Sequence, residues 1–78
     1  MWWWLEKLVD DDIHVVYAYG RETQETTGEV SYDKVTDTAS VLRVADNDWP
    51  ESAEHFVRSP FRHVIRRGFP DTIQIAIG

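Results

Sequence analysis

The sequence predicts an α+β domain: a small four-stranded, mostly antiparallel sheet, with elements in the order α-β-β-β-α-β and a main helix over about 49–67 packed on one face. Three observations carry this expectation. Short apolar runs separated by brief polar links fill residues 13–45, which favours hairpins over crossovers. The stretch 49–67 changes to a helical period, and the closing run DTIQIAIG returns to strict alternation. With 78 residues the chain is read as one compact domain, 1–78, and a domain of this size buries only about 60% of its unfolded surface.

Residues 2–10 of the opening MWWWLEKLVDDD read as a short helix: Met1, Trp4, Leu5 and Leu8 share one face, flanked by Trp2 and Val9. Trp3 then falls on the opposite side with Glu6 and Lys7. A strand in the same place would instead put Trp2 and Trp4 on one side and Trp3 with Leu5 on the other. The helix ends at Asp10-Asp11-Asp12, since the dipole disfavours anions at a C-terminus.

IHVVYAYG (13–20) reads as an interior strand, because both of its faces are rather apolar. GEVSYD (28–33) is half-buried, with Val30 and Tyr32 inward, and ASVLRVA (39–45) completes a meander. In DNDWPES, Asp48 is positioned to cap, Pro50 suits the first turn and Glu51 gives a D-x-x-E spacing. Ala53, Phe56, Val57, Phe61, Val64 and Ile65 form one apolar stripe. It runs through Pro60, so either one helix kinks there or Ser59 caps a second. Gly68 and Pro70 stop the helix, and 71–78 forms the last strand with Ile73, Ile75 and Ile77 on one face.

Composition narrows function more by exclusion than by signature. There is no cysteine, hence no disulfide scaffold and no thiolate chemistry. The histidines His55 and His63 stand eight apart on the helix, the wrong spacing for a shared ion, so no metal is expected. No nucleophile elbow, phosphate loop or dinucleotide fingerprint occurs, so the protein is read as non-enzymatic, with no catalytic residue and no cofactor. Neither a signal peptide nor a membrane span is legible, which points to a cytoplasmic protein with no membrane partner. The net charge is −6: residues 1–54 carry 13 acids against 4 bases, and residues 55–78 carry 1 against 4. That acidity argues against direct nucleic-acid binding.

The reading that follows is a small protein-interaction module, binding another protein or a second copy of itself. Its candidate binding residues are Trp3, which neither phase buries together with both other tryptophans, and the helix-face arginines Arg58, Arg62 and Arg66. A sheet edge is a further possible contact. The alternative is an acidic mimic of nucleic acid that inhibits a basic nucleic-acid-binding enzyme, built on the acids at Asp10–Asp12, Glu22, Glu25, Asp33, Asp37, Asp46 and Asp48. A third reading is a small-molecule binder with a sheet face lined by Tyr17, Tyr19 and Tyr32.

Overall fold

A computed structural model describes residues 1–77. The elements are β1 (Trp2–Asp10), β2 (His14–Arg21), β3 (Gly28–Asp33), β4 (Thr38–Arg43), α1 (Pro50–Arg58), α2 (Arg62–Arg66) and β5 (Thr72–Ala76). The strands form one five-stranded sheet in the order β4-β3-β2-β1-β5, and every pairing in it is antiparallel. The fold is therefore α+β as expected, but with five strands instead of four and the order β-β-β-β-α-α-β.

The N-terminal helix is the main correction. Residues 2–10 are a strand, paired with β2 on one side and β5 on the other. Its tryptophans and valine suit a pleated, half-buried surface better than a helix. As a strand it also supplies what no short helix could, a bonding neighbour on each edge in the middle of the sheet. Alternation sends Trp3 and Leu5 into the core and leaves Trp2, Trp4 and Glu6 on the other face. A bulge at Leu8 shifts the register, so that Lys7 faces Tyr17 and Val9 faces Val16. The Asp10–Asp12 run belongs to the hairpin turn into β2. There Asp11 Oδ1 accepts the backbone N–H of Ile13 and of His14, each at 2.8 Å.

One face of the sheet carries the core. Trp3, Leu5, Val15, Tyr17, Tyr19, Val30, Tyr32, Ile73 and Ile75 meet Phe56, Val57, Phe61 and Val64 from the helices. Phe56 stacks between Trp3, at 4.9 Å, and Tyr19, at 5.5 Å, while Phe61 lies edge-on to Tyr17 at 5.9 Å. Such aromatic pairs add about 0.5–1.5 kcal/mol each beyond the area they bury. The three tyrosines expected to line an open sheet face are buried here in the core beneath the helices.

The helical stripe is interrupted. Pro60 lacks the N–H a continuing helix would need, and the chain turns through Ser59–Phe61 before α2 begins. Neither proposed side-chain cap forms: the N-cap residues are Trp49 and Phe61, each without a side-chain cap bond. Asp48 instead accepts the Tyr19 hydroxyl at 2.8 Å. At the far end the helix stops as expected. Gly68 takes φ +75°, and the N–H groups of Gly68 and Phe69 bond back to the carbonyls of Ile65 and Val64.

Candidate interaction surface

β5 is an edge strand, and its hydrogen bonding can be worked out from its two ends. The Lys7 N–H bonds the Asp71 carbonyl, and Met1 exchanges bonds with Ile77. In an antiparallel ladder bonded and non-bonded pairs alternate. Ile73 and Ile75 therefore bond to Leu5 and Trp3 of β1, while the N–H and C=O groups of Thr72, Gln74 and Ala76 point away from the sheet. The strand sequence, TIQIA, holds no proline, charge or bulge. Such devices are what commonly protect an edge from pairing. The opposite edge has them: β4 is bulged against β3 and ends in Arg43, and α1 packs along it.

Beside β5, on the helix-covered side, lies a groove of about 160 Å³ lined by His63, Arg67, Ile73, Gln74, Ile75 and Ala76. Pockets for drug-sized ligands are roughly 300–1,000 Å³. A space of this size suits a side chain or two.

The other face of the sheet has no helix on it. Trp2 and Trp4 lie there half-buried, next to Ala76 and Gln74 on β5. The Trp4 indole N–H donates to Glu6 Oε2 at 2.8 Å. The 22–27 connection folds back over this face at Gly20, where an added Cβ would come within 2.6 Å of the Thr23 carbonyl oxygen. Trp3, singled out in the sequence as the surface anchor, is only 1% exposed and stacked on Phe56. The residue that resists burial in a helix is the core residue of a strand.

The break at Ser59–Phe61 puts Arg58 on one helix and Arg62 and Arg66 on the next. Arg58 is exposed, 3.8 Å from Glu54. Arg62 bonds Asp37 Oδ1 at 2.9 Å, tying α2 to the β3–β4 turn. The same oxygen accepts the Tyr32 hydroxyl at 2.6 Å. That hydroxyl first, and then Arg62, hold the Asp37 carboxyl below the usual range. Arg66 and Arg67 are exposed, and neither makes an ion pair among the described residues. Arg67 carries no signal in the apolar periodicity. Its importance comes only from lying beside β5.

Several acids are already engaged. Lys34 and then Lys7 hold the Asp10 carboxyl low, at 2.9 and 3.0 Å. Backbone N–H groups of His14 and Ile13 do the same for Asp11. Asp48 is fully buried at its side chain, with Oδ1 3.9 Å from Arg21 Nε, too far for a hydrogen bond. Arg21 in turn lies over the Trp49 ring at 4.6 Å. Among the described residues no group of His, Asp and Glu is arranged to hold a metal ion. None of the described helices is long and apolar enough to cross a membrane.

No family model matches the chain, and neither a curated protein nor a solved structure matches it.

Proposed function

We propose that this protein is a non-enzymatic protein-interaction module that takes up an extended segment of a partner as a sixth strand on β5. The observation that carries this reading is the unprotected edge of β5, where Thr72, Gln74 and Ala76 direct their backbone groups outward. Strand addition derives affinity from those main-chain bonds and specificity from pockets for alternate side chains, and the adjoining groove is such a pocket. Interface use of Arg67, which lines that groove, fits this placement better than use of Arg62, which is held by Asp37. The nucleic-acid-mimic alternative has less support, since Asp10 and Asp37 are paired with cations within the fold, Asp11 is turned onto backbone N–H groups and Asp48 is buried.

The test is selection from a random peptide library on the wild-type protein, with counter-selection on Gln74→Pro. The Gln74 N–H does not bond β1, so proline there removes an outward donor and spares the sheet. Selected peptides are expected to shift the backbone amides of Thr72, Gln74 and Ala76 and to lose binding when alternate peptide amides are N-methylated. Peptides that bind Gln74→Pro equally, or shift only distant amides, would sink the reading.

A further inference from the structure

We infer that the segment accepted by β5 is acidic: an extended stretch of another protein that directs a carboxylate toward Arg67 and His63 on the helix-covered side. The inference rests on the strand-addition reading above and specifies its partner.

Pleat geometry sets which side chains matter. Residues of an added strand opposite Gln74 face the same way as Gln74, toward the open face of Trp2 and Trp4. Residues opposite Ile73 and Ile75 face the helix side, over the groove lined by His63 and Arg67. The incoming strand is thus read at alternate positions, by an apolar floor from the isoleucines and by a wall made of His63 and the cation of the C-cap residue Arg67.

Charge complementarity supplies the sign. Arg66 and Arg67 are exposed in succession and neither has an ion-pair partner among the described residues; Lys7, Lys34, Arg58 and Arg62 all have one, and Arg43, also without one, lies on the opposite edge strand. Asp71, the acid nearest to β5 in sequence, lies 3.3 Å from Lys7 at the β1 side. A planar guanidinium with unpaired donors favours bidentate contact with a carboxylate. The same charges disfavour a second copy of the chain. Antiparallel pairing of β5 with its own copy centres on Gln74 and keeps both helix layers on one side of the joined sheet. Arg67 of each copy would then share one groove mouth, and like charges would meet there.

Three capped synthetic peptides of alternating threonine and valine test this, with glutamate, glutamine or lysine replacing one central valine. Binding is read by fluorescence anisotropy and by the amide shifts of Thr72, Gln74 and Ala76. The glutamate peptide should bind about 1.5-fold to fivefold more tightly than the glutamine peptide, the span of an exposed ion pair. The lysine peptide should bind more weakly still. Arg67→Gln should bring the ratio of glutamate-peptide to glutamine-peptide affinity to about one, and added salt should shrink it in the wild type. Equal binding of all three at the β5 amides would overturn the acidic specificity and leave strand addition standing. No shift at those amides with any peptide would overturn strand addition and the inference with it. A dimer in sedimentation whose β5 edge amides are protected without peptide would show the edge filled by a second copy, and would also overturn the inference.

Discussion

Replacing Trp3 by alanine tests whether the fold is built around the first strand. Trp3 is 1% exposed and stacks on Phe56 at 4.9 Å, and Phe56 itself stacks on Tyr19. Truncating a buried tryptophan costs about 3–5 kcal/mol. A domain of this length has a total stability of roughly 4–12 kcal/mol, so the variant is marginal or unfolded at rest. Trp2 is the control: it is half-buried on the face without helices among the described residues, and Trp2→Ala should cost about 1 kcal/mol. A third variant separates packing from polarity. The Trp3 indole N–H is buried and has no partner among the described residues, so Trp3→Phe keeps a ring against Phe56 and removes an unsatisfied donor. Relief of that donor, worth about 1–3 kcal/mol, offsets much of the lost area, and a net cost under about 1.5 kcal/mol is expected. Urea unfolding followed by far-ultraviolet circular dichroism measures all three. With a slope near 1 kcal/mol per molar urea, Trp3→Ala lowers the midpoint by about 3 M or abolishes the transition. Equal midpoints for Trp3→Ala and Trp2→Ala would refute the assignment of Trp3 to the core, and with it the place of β1 inside the sheet.

The remaining predictions concern polar groups and the edge. Tyr19→Phe leaves the buried Asp48 carboxylate and the Ala45 N–H without the hydroxyl they share, and should cost about 1–3 kcal/mol in the same urea assay; a loss under about 0.5 kcal/mol would show that the network is dispensable. Ile75→Pro removes an N–H that bonds β1 and should destabilise the fold by about 3 kcal/mol, whereas Gln74→Pro should cost far less; equal losses would mean that the inferred alternation is wrong. Burial raises the Tyr17 and Tyr19 hydroxyls above their ordinary value, so the stability they contribute is complete below about pH 10 and is lost as the pH climbs toward their folded values. Tyrosinate absorbance should therefore rise cooperatively with unfolding above about pH 10, and independent titration of all the tyrosines in an intact fold would contradict this. For Asp10, Asp11 and Asp37 the sign is opposite: their depressed values contribute stability above about pH 4 that disappears as the pH falls through them, visible as a declining urea midpoint.

How much of this was legible beforehand varies with the range of the interaction responsible. The 13–45 meander, the stop at Gly68 and the alternation of Ile73 and Ile75 are local patterns, and each appears where period and turn chemistry place it. Residues 2–10 carry two compatible periods, since WWWLEKLV has apolar residues at helical and at alternating positions alike. What decides between them is non-local: β2 and β5 each need a neighbour, and only residues 2–10 reach both. Once the strand is set, the exposure of the tryptophans inverts. Asp48 failed as a cap for a similar reason, because the Tyr19 hydroxyl, distant in sequence, competes for its carboxylate.

The candidate site was less legible than the fold, and the physical cause is that an edge is a property of topology. Nothing in TIQIA distinguishes an outer strand from an inner one; both alternate, and both bury isoleucine. The same holds for Arg67, which lies outside the helical stripe and becomes part of a groove only because the Gly68–Asp71 turn brings β5 back alongside α2. Arg62 shows the converse. Its helical phase marked it as a surface cation, yet the β3–β4 turn supplies Asp37 and converts it into a tether between the helix and the sheet. Charge along the chain therefore says which cations exist, while tertiary pairing says which remain free to act. By that criterion the functional end of the helical segment is its last turn, where Arg67 stands unpaired among the described residues beside an unprotected strand.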